Sequence, residues 1–220
     1  MKVYKKRNSC RLCGSKKILK FLDLPSVPPG EQLKKKINKK HYDVPIDLFF
    51  CLKCYHVQLL SVPSNNLMWN NEYTFMPGYN PDIIRHFNNT VLYLKNKFNL
   101  NIKKTFEIGS NDGLFLSLVR KHFSSSILGA DPSLLPRKIA KRKGIKTLNI
   151  FFDYKNSKNI KKKYGRFDLV VANIVFAHCD NLSDMLKGIE NILDDKGYFV
   201  FEASNLLDVL KKKINWHNNS

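Results

Sequence analysis

Four of the five cysteines stand in two C-x2-C pairs, Cys10 with Cys13 and Cys51 with Cys54. A tight turn at each pair can aim two thiolates at one point. Two such turns complete the tetrahedral four-sulfur set that Zn2+ prefers. The first residues, "MKVYKKRNSC", are basic with no apolar run behind them, so no secretion signal is read. Paired cysteines in such a chain argue for metal rather than disulfide. Redox dithiols would need a thioredoxin-like context, which this sequence lacks. Four thiolates leave no open coordination position, so the zinc is expected to be structural. Gly14 follows Cys13 directly, where a knuckle often needs a positive φ. Cys179, alone in "AHCDN", reads as a small residue at a strand end.

A second chemical signal is "TFEIGSNDGLFLS" at 105–117. An apolar strand-like run ends in a turn of Glu107, Gly109, Ser110, Asn111, Asp112 and Gly113, and a helix-like run follows. A dinucleotide site wants G-x-G-x-x-G at this place, and the central glycine is missing. A P-loop is excluded because no G-K-[ST] follows. Asp131, ending the next strand-like run in "LGADPS", is placed to accept hydrogen bonds from ribose hydroxyls. The ligand therefore reads as an adenosine without a diphosphate. S-adenosylmethionine fits, with its amino-acid end over the Gly109–Gly113 turn and its ribose against Asp131. Asp112 could meet the ammonium group directly or through water. The competing reading is a glycine turn that only packs strand on helix.

These residues need elements to hold them. From residue 104 onward strands and helices alternate: "KTFEIG", helix "GLFLSLVRKHF", "SILGADP", helix "SLLPRKIAKRKG", "KTLNIFF", "FDLVVANIVF", helix "DMLKGIENILDDKG", "GYFVFEAS" and a helix start at "NLLDVLKKKI". Repeated βα units predict an α/β fold, a Rossmann-like, doubly wound parallel sheet that binds ligands at the carboxyl ends of its strands. Upstream, Pro25, Pro28, Pro29 and Gly30 preclude regular structure. "VPIDLFFC" and "YHVQLLSVP" then read as two strands. The expected organisation is a small β-rich zinc module over 1–65, an aromatic loop and linker helix over 66–100, and a donor-binding domain over 101–220. The linker helix is expected from Pro81, with Ile84, Phe87, Val91 and Phe98 at helical spacing. Tyr73, Phe75 and Tyr79 precede it in a Gly/Pro-containing loop, read either as packing or as a lid.

The chain carries 38 Lys and Arg against 18 Asp and Glu, a formal charge of +20 over 220 residues. Such a balance invites a nucleic-acid reading. Yet only seven of the basic residues are Arg, and the lysines are scattered with asparagine through the whole chain. Arg is the residue that reads bases and phosphates with two parallel hydrogen bonds. Specific nucleic-acid binding is therefore not expected. A basic surface still draws polyanionic ligands such as nucleotides. No run is apolar and long enough to span a bilayer, so a cytoplasmic protein with no membrane partner is expected.

Several motifs together resemble the sugar C-methyltransferases that act on nucleotide-linked deoxysugars: "CRLCGSKKILKFLDLPSVPPGEQL", "VPIDLFFCLKCYHVQLL", "NEYTF", "EIGSNDGLFL", "LGADPS", "GIKTLNIFF" and "NIVFAHCDNLSDMLKGIENILDDKGYFVFEASNLLDVL". The order, zinc module first and methyltransferase second, marks the group. The resemblance covers the whole chain and implies a class I methyltransferase sheet and a 4-keto, dTDP-like nucleotide sugar as substrate. The ketone acidifies the neighbouring C–H, a base removes that proton, and the enolate attacks the sulfonium methyl. It further implies substrate roles for Tyr73 and His178, Phe152 beside the adenine, and Asn173 beside the donor at the end of the fourth strand.

The family continues with a Tyr-x-Glu-His motif and a further C-terminal domain. This chain ends at "KKKINWHNNS", about where that motif is due, and His217 there lacks an acid partner. The expectation is a complete donor site with incomplete acceptor chemistry: either the chain is a fragment, or a naturally short protein whose activity is reduced or borrowed from a partner chain. Two other readings stay open: a non-catalytic donor-binding scaffold, and a zinc-ribbon nucleic-acid methyltransferase or binder. Base methyltransferases often carry an N/D-P-P-Y/F/W motif after the fourth strand, where this chain has "ANIVFAHC".

Overall fold

The computed structural model describes residues 3–28, 30, 43–69, 73–98, 101–207 and 211. The chain divides into two units, Met1–Thr74 with Asp180–Ser183, and Phe75–Cys179 with Asp184–Ser220.

The first unit holds β1 (Tyr4–Lys6), β2 (Ile18–Leu22), β3 (Leu48–Cys51), β4 (Val57–Leu59), β5 (Ser61–Pro63) and one helical turn, α1 (Asn65–Met68). Strands β2, β3 and β4 form an antiparallel sheet in that order, and β1 pairs with β5. "YHVQLLSVP" reads as one strand by alternation. It folds as two, broken at Leu60, because its halves serve different partners: Val57–Leu59 pairs with β3 and Ser61–Pro63 with β1. Pro29 of the proline-rich turn lies outside the described residues, and Pro25 and Pro28 stand in irregular chain beyond β2. A module with strands this short cannot bury a core of its own, which is why it needs a staple.

The second unit alternates as the sequence predicts. Helix α2 (Pro81–Phe98) leads into β6 (Lys104–Ile108), α3 (Leu114–Phe123), β7 (Ser126–Ala130), α4 (Leu134–Arg142), β8 (Thr147–Leu148), α5 (Tyr154–Tyr164), β9 (Phe167–Asn173), α6 (Leu182–Ile192) and β10 (Leu193–Glu202). The five strands are all parallel, in the spatial order β10-β9-β6-β7-β8. Chain direction across the sheet reverses between β6 and β9, so the crevice at their carboxyl ends is the switch point where such folds take ligands.

The central strands of the sheet are buried on both faces. Phe106, Leu128, Val170 and Ala172 pack against Ile160 of α5 and Met185, Ile189 and Ile192 of α6. Leu169 and Val171 pack against Phe87, Val91 and Leu94 of α2 and Leu114, Phe115 and Val119 of α3. Each such side chain contributes about 1.5–3 kcal/mol by leaving water. That layer of apolar contacts fixes the strand ends on which the site is built.

Helix α5 was not legible as a helix. Its sequence, "YKNSKNIKKKY", looks like a solvated lysine run, and only Ser157 and Ile160 are buried. It forms because Asp153 caps it, accepting a hydrogen bond from the Asn156 N–H at 2.6 Å. The basic last turn of Lys161, Lys162 and Lys163 also suits the negative end of the helix dipole. The expected strand "KTLNIFF" shrinks to Thr147–Leu148, because β8 is an edge strand bonded only to the last two residues of β7. The fourth strand ends at Asn173 and not at Phe176, since Ile174 turns the chain with φ +54°. Most of the helix expected from "NLLDVLKKKI" falls outside the described residues. No helix among the described residues is long and apolar enough to cross a membrane.

Candidate functional site

The four cysteines converge. Their sulfurs all lie within 4.8 Å of one another, with Cys10–Cys54 and Cys13–Cys51 at 3.6 Å. A tetrahedral zinc with Zn–S bonds of about 2.3 Å requires sulfur–sulfur edges near 3.8 Å, so the set fits the ion. Two matching knuckles produce this. Gly14 N–H donates to Cys10 O at 2.9 Å, and Tyr55 N–H donates to Cys51 O at 2.8 Å. The residue after each pair turns into the left-handed region, Gly14 at φ +72° and Tyr55 at φ +61°. Buried Gln58 braces the first knuckle, its Oε1 accepting from Arg11 N–H at 3.0 Å.

The protonation of these thiols points the same way. Burial opposes ionisation of Cys10, but the N–H groups of Cys13 and Leu12 outweigh it and bring the thiol down to about 6. At Cys54 the His56 N–H favours the thiolate. Burial and the three neighbouring sulfurs overcome it and push the thiol up to about 12. Four sulfurs this close cannot all be anionic without a cation among them. The zinc would be held by all four thiolates and supply cross-linking rather than chemistry.

In the second unit, the chain leaving β6 makes the turn that the glycines foretold. Gly109 has φ +67°, Asn111 +47° and Gly113 +77°. A Cβ on Gly109 would overlap the Val175 side chain, and one on Gly113 would overlap Ile145, so both positions are closed to larger residues twice over. Gly109 and Ser110 donate their N–H groups to Ala130 O at 2.7 and 3.1 Å, which fastens the turn to the end of β7. Asp131 sits beside it, buried. Its Oδ2 accepts from Asn111 N–H at 2.9 Å and its Oδ1 from Ser133 N–H at 2.7 Å. Each oxygen retains a lone pair for a ligand hydroxyl. Burial raises the Asp131 pKa, and the two N–H groups partly offset that.

Glu107, the last acid before the turn, is 3% exposed. Asn173, at the end of β9, donates to its Oε1 at 3.1 Å. Among the described residues, its Oε2 has no hydrogen-bond partner, nor have Ser110 Oγ and Asn111 Oδ1. The Asn173 amide and the Leu116 N–H favour the anion. Burial above all, and then the charges of Asp112 and Asp131, push Glu107 up to about 8. A buried site with three acids and orphaned acceptors is built for a ligand that is positively charged and rich in donors. S-adenosylmethionine meets that description with its sulfonium, ammonium and ribose hydroxyls. Glu107, Ser110, Asn111 and Asp131 are the groups that would hold it.

The other predicted residues are placed as follows. Asp112 is buried, and its oxygens accept from Gly78 N–H (3.1 Å), Leu114 N–H (3.2 Å) and Lys143 Nζ (2.8 Å). The Phe152 ring packs on Phe106 at 5.6 Å and is half-buried against the core. His178 ends the short 3-10 turn Phe176–His178 after β9; its side chain is exposed, while desolvation by the surrounding chain lowers its pKa. Tyr73 belongs to the first unit, its ring 5.1 Å from Trp69. The structure thus brings Glu107, Gly109, Ser110, Asn111, Asp112, Gly113, Asp131 and Asn173 together at the adjacent carboxyl ends of β6, β7 and β9. His178 lies on the loop that follows the same β9. The sequence did not reveal Lys143, Gly78, or the pair of His86 Nε2 with Glu202 Oε2 at 3.0 Å. No spacing rule links residues 116 positions apart.

A parallel α/β unit with a donor turn at its switch point, in a chain that also carries a four-cysteine knuckle module, defines a class: zinc-stapled methyltransferases. Residues 83–219 match the family described as "Methyltransferase domain", and residues 10–69 match "Putative zinc binding domain". The chain belongs to the methyltransferase-domain family, whose methyl donor is S-adenosylmethionine. It is similar to C-methyltransferase NovU of Streptomyces niveus, 25% identical over 207 residues, which are 93% of this chain and 49% of that one. The chain therefore spans about half the length of the curated relative it matches. Among solved structures it is similar to the plantazolicin methyltransferase BpumL in complex with SAH (16% identity, 60% of this chain and 51% of that chain, TM-score 0.46). It is also similar to a S-adenosylmethionine-dependent methyltransferase from Clostridium acetobutylicum (18% identity, 59% and 54%, TM-score 0.46).

Proposed function

We propose that this protein is a S-adenosylmethionine-dependent C-methyltransferase whose acceptor is a nucleotide-linked 4-keto deoxysugar. The observation that carries the reading is the match to a C-methyltransferase across 93% of the chain, cysteine module and methyltransferase domain alike. The sugar itself rests on the motif resemblance, "CRLCGS", "NEYTF" and "NIVFAHC" among them.

When bound, the donor supplies an electrophilic methyl on a positively charged sulfur. The chain has to make a carbon nucleophile of the acceptor by removing the proton beside its ketone. His178 is a suitable base: its side chain reaches solvent, and desolvation by its surroundings shifts its pKa downward, which favours the neutral ring that can take the proton beside the ketone. Tyr73 is assigned to sugar contact. Asp131 takes the ribose, Gly109 to Gly113 cradle the amino-acid end, Phe152 borders the adenine and Asn173 orients Glu107.

Incubation of a dTDP-4-keto deoxysugar with the protein in D2O, without donor, tests the base. Deuterium should enter the carbon beside the ketone, and His178→Asn should slow this about 10²–10⁴-fold. Exchange at the same rate with and without protein would remove the enolisation step from the reading.

A further inference from the structure

Residues Phe75–Asn80 form a strap fastened to the donor turn at two points. Asn111 Nδ2 donates to Phe75 O at 3.0 Å, and Gly78 N–H donates to Asp112 Oδ2 at 3.1 Å. At its far end Asn80 Oδ1 caps α2, accepting from Asp82 N–H at 2.9 Å and Ile83 N–H at 3.3 Å. Pro77 in the middle is buried, while the Phe75 and Tyr79 side chains are exposed. The fit is close: a Cβ on Gly78 would overlap Asp112 Oδ2 and come within 3.0 Å of Lys143 Nζ. Asp112 is 1% exposed, and its charge is met by Lys143 at the end of α4.

We propose that Asp112 is a positioning residue for methyl transfer: held by Lys143, it ties the Phe75–Asn80 strap to the donor turn, and donor affinity depends on that tie. The Asp112 oxygens are taken by three donors of the chain itself, one from the strap, one from the start of α3 and one from α4. The next residue back, Asn111, carries the effect to the site. Its side chain holds the strap, and its own N–H is held by Asp131. Strap, turn and ribose acid are one hydrogen-bonded chain, so a strap that shifts pulls Asn111 and Asp131 with it. A buried network of this kind fixes geometry before the ligand arrives, so the ordering cost is not charged to binding. Lys143 also answers a specific need, since a buried carboxylate without a counter-charge is costly.

The inference rests on the donor lying over the Gly109–Gly113 turn, and the experiment separates the two. S-adenosylhomocysteine is titrated calorimetrically into the full chain and into the variants Gly78→Ala, Lys143→Met, Asp112→Ala, Asp112→Ala/Gly78→Ala and Gly109→Ala. Thermal unfolding of each is recorded alongside. Gly78→Ala should weaken binding about tenfold in the native background, but less than about twofold once Asp112 is alanine, because the overlap has gone. Lys143→Met, which leaves the buried Asp112 carboxylate without its counter-charge, should weaken binding severalfold and lower the unfolding temperature. Equal losses from Gly78→Ala in both backgrounds, or undiminished affinity in Gly78→Ala and Lys143→Met, would overturn the tie alone. A native chain that does not bind S-adenosylhomocysteine, or a Gly109→Ala variant that binds it as well as the native chain, would overturn the donor site and the tie together.

Discussion

The buried Glu107 sets up a prediction about pH. Burial, with Asp112 and Asp131 nearby, raises its pKa from 4.5 to about 8. The folded chain therefore keeps a proton on Glu107 over a range where the unfolded chain releases it. Its contribution is most favourable below the unfolded value and is lost as pH rises through the folded one. At about 1.4 kcal/mol per unit, the α/β unit should lose roughly 3–4 kcal/mol between pH 5 and pH 8 on this account. Other groups titrate too, so the comparison is with Glu107→Gln, which keeps the shape and cannot ionise. Urea unfolding of both proteins at half-unit steps from pH 5 to 9 supplies the difference. The stability of the native chain should fall relative to the glutamine variant as pH rises, flattening above pH 8. Saturating donor, being cationic, should shrink that gap by favouring the carboxylate. Parallel profiles for the two proteins would refute the argument. They would mean that Glu107 is ionised in the fold, met by a partner or by water.

Purified protein should hold close to one equivalent of zinc by elemental analysis. Cys51→Ser should abolish it and unfold β2–β4 while the α/β transition persists, since metal-binding energy is folding energy in such modules. Gly109→Ala should cost about 1–3 kcal/mol in urea unfolding and also weaken the donor, because a φ of +67° and the Val175 side chain both oppose a Cβ there. Asp131→Ala should weaken S-adenosylhomocysteine binding by about 1–3 kcal/mol in calorimetry. It removes the acceptor for ribose hydroxyls and leaves the Asn111 and Ser133 N–H groups unpaired.

Much of this was legible in the sequence because the signals are local. Cys10 and Cys13, or Gly109 and Gly113, lie within one turn of each other, so backbone geometry alone places them. The alternation of apolar strands with helices gave the parallel sheet, because burial on both faces leaves continuous runs such as "LVVA" in β9. Helix α5 escaped because its buried face is only Ser157 and Ile160, too narrow to show a period. The division of "YHVQLLSVP" into β4 and β5 depends on which strand lies alongside each half, and no local pattern records that. The same holds for the site's finer structure. Asp112 is conspicuous in "GSNDG", but Gly78 and Lys143, which occupy its carboxylate, lie 34 and 31 residues away. Glu107 is marked in "EIGSNDG" as a donor-turn residue, but only its burial beside Asp112 and Asp131 reveals the raised pKa.

The central claim, methyl transfer to carbon beside a ketone, is tested most directly by following the methyl group itself. The protein at single-turnover concentration is mixed with S-adenosylmethionine labelled with 13C in its methyl and with a dTDP-4-keto deoxysugar, and the products are read by NMR. The 4-hydroxy sugar serves as the control acceptor. The account predicts a labelled methyl bonded to the carbon next to the ketone, one S-adenosylhomocysteine formed per methyl, and no transfer to the 4-hydroxy sugar. A label that appears on oxygen or nitrogen whether or not the ketone is present would contradict it.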